Sequence, residues 1–519
     1  MKKGPYFKGI QFSLVLLVVT AGMAFGETWY VAPDGANTPM NGTSSDPFKT
    51  IQYAVDQAST GDTILVEEGT YFEEVNIDKD QLTLRSLTPN SATIHGEDYC
   101  IQLLGNGLTI EDLNLQNAGK GIVVSGDQTE DLNFSSNWIE SMLNYGIYFY
   151  WDAAIEGSDV LIEDNLVLVT GVGILMEGDM GIAQDVDIHI LDNYISDAST
   201  GIEFWYLHGG SVEISDNTII DCNSNGIYVD QIDPEGAGIS FKIENNDISL
   251  ASGMSGSHGI YMNNAERTTW IKDNTITGQY QYGIYIPYLA FLGAEPLQTF
   301  IEGNQVTGSS IEGISLWYLF INLDGSVYIR ENTISDSNNG IYLHYLGDGT
   351  AGEGFELYIE ENVVFDCDAA GLEFNYLFYN APGSVYLRRN NFIDNQYGIF
   401  FNDEYHLEES SLVVGNNNFE GNTSYGIFND MDVLISAPDN WWGDPSGPYD
   451  PTTAGDNPSY DNPEGLGDEV SEYVDYEPWR ESPYIAGEES TGGCSTGGFD
   501  PALILLIVPM LGLFISKKR

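Results

Sequence analysis

Three carboxylates recur at related positions of an internal repeat. Glu177, Glu203 and Asp230 each stand two or four residues after a glycine that is followed by an aliphatic residue. If the aliphatic residue points into a core, side chains at these positions point outward on one strand face. One strand spacing plus two residues then separates neighbouring carboxylates by about 8 Å. That separation suits glycoside hydrolysis with inversion, because a water molecule must fit between the two groups. With 78 acidic residues in the chain, chance alignment is the alternative explanation.

The same predicted face is rich in aromatic side chains. Sugar rings stack their apolar faces on aromatic rings, while their hydroxyl groups bond to acids. We therefore expect glycan binding by Trp205, Tyr228, Tyr261, Tyr285, Trp317 and His344, and Tyr148, Tyr150 and Tyr342 occupy equivalent positions. The alternative is that these rings pack in ladders along a sheet and only stabilise it.

These side chains need a scaffold that repeats every 24 to 33 residues. The glycine of the repeat occurs at Gly121, Gly146, Gly173, Gly201, Gly226, Gly259, Gly283, Gly313, Gly340, Gly371, Gly398 and Gly426. Between these glycines, short alternating segments end in a polar residue followed by Asn, as in 160–165, 212–217, 327–332 and 357–362. One unit cannot bury its own apolar side, so the units must stack into a continuous core. The pattern predicts an all-β, right-handed parallel β-helix of about 12 coils with a short N-terminal capping helix.

Aligning the repeats on the Asn column gives a test of the register. Asn tolerates a left-handed backbone at a corner, and stacked Asn amides can hydrogen-bond along the column. Two residues before this Asn, six successive repeats carry alternating charges: Glu244, Lys272, Glu302, Arg330, Glu360 and Arg388. Stacked coils bring equivalent residues about 4.8 Å apart, where unlike charges attract. We therefore expect these residues to be direct neighbours. On this stacking Cys222 and Cys367 lie five coils apart, so we expect free buried thiols.

The charge of the chain excludes some partners. With 78 acidic and 17 basic residues, it would repel nucleic acid and anionic lipid, but neutral glycans and cations remain compatible. Acids before the Asn column, such as Asp164, Asp192 and Asp216, would stack and repel one another, and bound Ca²⁺ would relieve this. No segment has the spacing of a defined calcium loop, so the metal ligands stay unassigned and calcium is the one cofactor left open.

The two ends of the chain resemble export and anchoring signals. Residues 1–26 combine basic, apolar and small-residue regions, which predicts a cleaved signal peptide. Residues 491–519 contain Gly492-Gly493-Cys494, an apolar run over 502–515 and a basic end. This tail is similar to GlyGly-type sorting signals, most closely the Synergist-type variant. The resemblance implies a membrane anchor, a tail-processing enzyme acting near Gly492, Gly493 and Cys494, and display at the cell envelope or surface. A plain transmembrane anchor is the alternative.

The body of the chain resembles pectin-lyase-like β-helix proteins. The segment 29–35 (Trp-Tyr-Val-Ala-Pro-Asp-Gly), with 41–51 and 61–66, is similar to a bacterial domain of unknown function at the N-termini of such proteins. Asp46-Pro47 is expected to start the capping helix. The segment 439–448 (Asp-Asn-Trp-Trp-Gly-Asp-Pro-Ser-Gly-Pro) is similar to their closing motif. This divides the body into a cap with the first coils (27–100), the repeats (101–448) and a C-terminal cap with an acidic spacer (449–490).

Three functions remain open at this stage. The first is a surface-exposed β-helix that binds polysaccharide or another extracellular partner. The second is a polysaccharide-degrading enzyme, a hydrolase rather than a lyase, because lyases of the resembled family use a basic residue beside calcium-binding acids, a combination that is not evident here. The third is a structural spacer or adhesin, since 12 coils would span about 58 Å.

Overall fold

The computed structural model describes residues 26–485 except 126–129, 152–154, 179–183, 208, 231–239, 264–267, 290–296, 320–324, 348–354, 380–382, 403–409, 432 and 452–460. The chain divides into two units, Met1–Pro483 and Tyr484–Arg519. The predicted signal peptide, and the predicted sorting signal with Gly492, Gly493 and Cys494, lie outside the described residues. Among the residues that are described, no helix is long and apolar enough to cross a membrane.

Three long parallel sheets form the walls of a solenoid, and consecutive strands of the chain pass from one sheet to the next. Sheet A has 15 strands: Thr28–Val31, Thr63–Val66, Thr83–Ser86, Thr109–Glu111, Leu132–Ser135, Ile155–Glu163, Gln184–Leu191, Ser211–Ser215, Ser240–Glu244, Thr269–Lys272, Leu297–Glu302, Gly325–Arg330, Phe355–Glu360, Gly383–Arg388 and Ser411–Gly415. Sheet B has 14: Gly69–Phe72, Ala92–His95, Asn114–Gln116, Trp138–Met142, Leu166–Val169, Tyr194–Ser196, Thr218–Ile220, Asp247–Ser249, Thr275–Thr277, Gln305–Thr307, Thr333–Ser335, Val363–Phe365, Asn391–Ile393 and Asn418–Glu420.

Sheet C, which carries the repeated glycines, has 14 strands: Val75–Ile77, Tyr99–Leu103, Lys120–Ser125, Tyr145–Trp151, Val172–Gly178, Thr200–Trp205, Asn225–Asp230, Ser255–Asn263, Gln279–Ile286, Glu312–Leu319, Asn339–Leu346, Ala370–Asn375, Tyr397–Phe401 and Tyr425–Asn429. Two short pairs follow, Ile435–Ser436 with Val474–Asp475 and Pro448–Tyr449 with Gly467–Glu469. The predicted parallel β-helix is confirmed, and its first two sheet C strands precede the glycine repeat.

The repeated glycine is required by close packing between sheets. A Cβ added at Gly283 would lie 2.3 Å from Cγ1 of Val306 in sheet B and 2.6 Å from the carbonyl oxygen of Gly313 in the next coil. The residue after each glycine is buried, as for Ile284 and Ile314, which are 0% exposed. Stacking of these aliphatic side chains builds the continuous core.

The Asn column is a buried hydrogen-bond ladder from Asn137 to Asn440. In each coil, as at Asn304, the side-chain nitrogen donates to the next Asn (Asn332 Oδ1, 2.9 Å) and to a carbonyl of the preceding coil (Ile271, 2.8 Å). The expected left-handed conformation is wrong for the Asn itself. The residue before it adopts positive φ, as at Asp273 (54°) and Glu331 (56°). Because the Asn amide is committed to the ladder, its neighbour makes the turn.

The alternating charges lie side by side on the outer face of sheet A, which confirms the predicted register. Glu244 pairs with Lys272, and this continues coil by coil to Glu360 and Arg388. Lys272 contacts Glu302 at 2.8 Å, and Arg388 instead covers the ring of Tyr386 at 4.8 Å. A second row beside these charges stacks five rings: Trp270, Phe300, Tyr328, Tyr358 and Tyr386.

Within the described residues the chain has one helix, Ile51–Gln57, near the N-terminus. It starts four residues later than Asp46-Pro47 suggests, because the Thr50 hydroxyl caps it by accepting from the Tyr53 amide at 3.3 Å. Ile51, Ala54 and Val55 are buried in the core, as expected. At the other end, the Trp442 ring stacks on Phe419 of the last complete coil at 4.8 Å.

Candidate functional site

The outward positions of sheet C form one continuous surface, which we call the sheet C face. It consists of the residues one before, two after and four after each repeated glycine. Strand register places Glu177, Trp205 and Asp230 in one row across three coils. Glu203 lies in the adjacent row, beside Leu175 and Tyr228. The predicted carboxylates therefore share one face, in the strand register that the repeat predicts.

Each of these carboxylates is held by an aromatic or amide donor. The Tyr148 hydroxyl donates to Glu177 Oε2 at 3.1 Å. Asp230 accepts from the Tyr228 hydroxyl at 3.2 Å and from Asn263 Nδ2 at 2.7 Å. These hydrogen bonds hold the carboxylates in place. They fit a face that binds glycans and equally a face whose side chains only stabilise the sheet.

Glu203 differs from its two neighbours in its environment. Burial raises the pKa of its carboxyl, and the charge of Glu177 adds to this, while a hydrogen bond from the Trp205 indole opposes it. Glu203 therefore holds its proton to a higher pH than a solvated glutamate does. Such a carboxyl can donate a proton or a hydrogen bond, whereas an ionised one only accepts.

The six aromatic residues selected from the sequence form one unbroken chain of ring contacts, which we call the ring row. Tyr228, Tyr261 and Tyr285 stand two residues after their glycines, whereas Trp205, Trp317 and His344 stand four residues after theirs. Centroid distances along it are 5.4 Å (Trp205–Tyr228), 4.5 Å (Tyr228–Tyr261), 5.8 Å (Tyr261–Tyr285), 6.0 Å (Tyr285–Trp317) and 4.8 Å (Trp317–His344). The row crosses six coils, a length of about 24 Å. Because each ring packs on the next, all six side chains are half-buried rather than freely exposed.

The structure adds one carboxylate that the sequence analysis did not select. If side chains alternated strictly along the strand, Glu312 would point inward like Ile314. Gly313 and Ile314 are instead both buried, so the alternation breaks at the glycine and Glu312 points to the outward face. Equivalent side chains confirm this, since the rings of Tyr282 and Tyr285 stack at 4.7 Å on that face. A break in alternation at every repeated glycine is not visible in the residue types.

Glu312 is the most strongly perturbed carboxyl of the sheet C face. It is 5% exposed, and its Oε2 atom has no hydrogen-bond partner among the described residues. Burial raises its pKa to about 7, and the charge of Glu373 raises it further. Hydrogen bonds from Ser315 and Trp317 act in the opposite direction. Ser315 stands where both adjacent coils carry tyrosine, which leaves space for the Glu312 carboxyl between those rings.

A second carboxylate, Glu373, lies two coils beyond Glu312. It accepts from Asn339 Nδ2 at 3.0 Å, and Asn339 is the strand neighbour of Glu312. Burial raises the pKa of Glu373, opposed by hydrogen bonds from Asn339 and Asn402. Its position two residues after Gly371 predicts an outward side chain, but the residue types do not reveal that it lies near Glu312.

No group of three or more His, Cys, Asp or Glu side chains in the described part of the chain is arranged to hold a metal ion. Asp164, Asp192 and Asp216, the acids considered for calcium, are exposed at successive corners. Two bases outside the alternating charge row are held in ion pairs: Lys242 contacts Glu213 and Glu244, and Arg389 contacts Glu360 and Glu361. Cys100, Cys222 and Cys367 are free and buried, which confirms the expectation for Cys222 and Cys367.

Comparison with known proteins supports the architecture. The family described as right handed beta helix region matches residues 120–291 and 297–433, together more than half of the chain. The uncharacterized protein YwoF of Bacillus subtilis is 30% identical over 126 residues, which are 20% of this chain and 27% of that protein. Pectate lyase PEL9 of Emericella nidulans is 34% identical over 131 residues, or 23% of this chain and 29% of that enzyme. The chain thus matches less than a third of the length of either relative. The solved structure of XylC with xylose covers 74% of this chain and 86% of that one, at 11% identity and a TM-score of 0.38.

Proposed function

This chain belongs to the right-handed β-helix family, and we propose that it binds polysaccharide along the sheet C face. The observation that carries the proposal is the unbroken row of six half-buried rings from Trp205 to His344, flanked by carboxylates. A pectate lyase among the relatives supports a carbohydrate as the kind of ligand.

The physical argument concerns what such a face can recognise. Rings that contact one another from coil to coil offer successive apolar platforms, and sugar rings of a linear glycan can stack on them. Carboxylates beside the platforms accept hydrogen bonds from sugar hydroxyls. A chain about 24 Å long would contact every ring of the row, so an oligosaccharide should bind more tightly than a monosaccharide.

We also propose that the protein is exported and held at the cell envelope or surface. The support is the sequence of the two ends, residues 1–26 and 491–519, which fit a signal peptide and a sorting tail. Residues Gly492, Gly493 and Cys494 would be the processing point. Fractionation of cells, followed by mass spectrometry of the mature C-terminus, tests this: a soluble cytoplasmic protein ending at Arg519 would contradict it.

Binding is tested with the body, residues 27–490, on immobilised and soluble polysaccharides. We expect Trp205→Ala, Tyr228→Ala and Trp317→Ala, combined, to weaken glycan binding at least tenfold. Each substitution removes one stacking contact, and stacking on an aromatic ring contributes about 0.5–1.5 kcal/mol. Tyr328→Ala, in the ring row of sheet A, is the matched control and should leave binding unchanged. Unaltered binding in the triple variant would leave only the spacer or adhesin role.

A second candidate function, glycoside hydrolysis, is favoured by the contrast between Glu203 and Asp230. They lie on adjacent coils, and burial raises the pKa of Glu203, while Asp230 accepts two hydrogen bonds. An acid and a base in different environments are what hydrolysis requires. New reducing ends from a polysaccharide, lost in both Glu203→Gln and Asp230→Asn, would establish it. Turnover that survives both substitutions would exclude this pair.

A further inference from the structure

The charge of the sheet C face is unusually one-sided. Six carboxylates occupy its outward positions: Glu177, Glu203, Asp230, Glu312, Glu373 and Asp430. Among the described residues of the sheet C strands, Lys120 is the one lysine or arginine. It lies near the N-terminal end of the solenoid and contacts Asp98 at 3.3 Å. The rings from Trp205 to His344 therefore have no cationic side chain beside them on these strands.

The two histidines of the face do not supply positive charge either. Burial lowers the pKa of His258 to about 4, and the ring lies against Tyr282 and Tyr285 at 5.5 and 5.4 Å. Burial also lowers the pKa of His344. Both rings are consequently uncharged at neutral pH.

Four further bases lie on a different wall of the solenoid. Lys242, Lys272, Arg330 and Arg388 lie on sheet A, three of them in direct ion pairs with glutamates. The segments that connect sheet C to sheet A contain two lysine or arginine residues in their sequence, Lys79 and Arg267, among many acids, and Lys79 contacts Asp78 at 3.2 Å. Among the described residues of the sheet C face, a carboxylate on a ligand would therefore meet other carboxylates and no compensating partner.

We propose that the polysaccharide bound by the sheet C face is neutral, and that polymers of uronic acids are excluded from it. This rests on the proposed glycan-binding function and names its ligand class. Each unrelieved contact between two carboxylates near a protein surface weakens binding about tenfold or more. The hydroxyl groups of a neutral sugar, in contrast, donate to carboxylates without this penalty.

The position of Glu312 fits the same ligand class. Its unpartnered Oε2 atom lies at the centre of the ring row, between the coils of Tyr285 and Tyr342. Because this atom is buried, the carboxyl acts on a bound glycan through its charge rather than through a direct hydrogen bond. A uronate would bring a second carboxylate close to Glu312, where burial already disfavours a negative charge.

The test compares neutral xylo- and cello-oligosaccharides with oligogalacturonates and oligomannuronates of equal length, by calorimetry at pH 7. Each titration is run with EDTA and, separately, with calcium. We expect the better neutral ligand to bind at least tenfold more tightly than any uronate in both conditions. Tighter uronate binding, whether in EDTA or only with calcium, would overturn the inference and leave the proposed function standing. Binding of neither class would instead contradict the proposed function itself.

Charge-neutralised variants test the cause. Combining Glu177→Gln, Glu203→Gln and Asp230→Asn should raise uronate affinity relative to neutral-glycan affinity at least tenfold. Glu356→Gln, an exposed change on sheet A, is the control and should leave the ratio unchanged. An unchanged ratio in the triple variant, with circular dichroism like that of the parent, would show that these charges do not select the ligand.

Discussion

Replacing Asn304 by Ala removes one rung of the buried Asn ladder. Asn304 is 0% exposed, and its Oδ1 accepts from the Asn274 backbone amide and from Asn274 Nδ2, both at 3.0 Å. Its Nδ2 donates to the Ile271 carbonyl at 2.8 Å. The substitution therefore strands two donors and one acceptor in the interior.

Each buried polar group that loses its partner costs about 1–3 kcal/mol, so with three such groups we expect Asn304→Ala to lower the free energy of unfolding by about 3–9 kcal/mol. Guanidinium unfolding followed by far-UV circular dichroism measures the loss. Hydrogen exchange adds a local measurement, because the Asn274 amide should exchange faster while amides several coils away keep their protection.

The matched control is Asn338→Ala, an exposed Asn in the next coil, for which we expect a change within about 0.5 kcal/mol. A loss below about 1 kcal/mol in Asn304→Ala, with the Asn274 amide still protected, would refute the view that the ladder stabilises the corner. An equal loss in both variants would point to a general effect of Asn removal.

Three further outcomes are expected. The pKa of Glu312 is raised from its ordinary 4.5 to about 7 in the folded chain, so between these pH values the folded chain keeps a proton that the unfolded chain releases, and the free energy of unfolding falls as pH rises. Glu312→Gln should abolish this fall. Compared with the parent, the variant should gain about 3 kcal/mol of unfolding free energy at pH 8 and little at pH 4, as measured by unfolding at both pH values. Gly283→Ala should lower the melting temperature by several degrees, since its Cβ would lie 2.3 Å from Val306, and an unchanged value would contradict the packing argument. Burial raises the pKa of Cys222 and Cys367 to about 12, so both thiols should resist a thiol reagent at pH 8 until the chain is unfolded, and rapid labelling of the native protein would show that they are accessible.

The register of the coils could be predicted from residue types because charge pairs report it directly. Glu244 to Arg388 alternate in sign over six repeats, and a shift by one residue would move every member to the other face of its strand. The pairing of Glu302 with Lys272 and Arg330 confirms the alignment. The buried Asn column and the free thiols follow from the same stacking.

Other features depended on contacts that the residue types do not reveal. The left-handed corner belongs to residues such as Asp273 rather than to the Asn beside it, because the ladder holds the Asn amide. The helix begins at Ile51, since capping by Thr50 decides its start.

The sequence by itself therefore determined the fold class, the stacking register and the face that carries the rings, because each of these follows from a period that is repeated many times. The tertiary structure alone decided the environment of single side chains. Glu312 turns outward because the strand breaks its alternation at Gly313, and its carboxyl is perturbed because rings and a second carboxylate from other coils surround it. Those neighbours are about 30–60 residues away along the chain and meet Glu312 only when the coils stack.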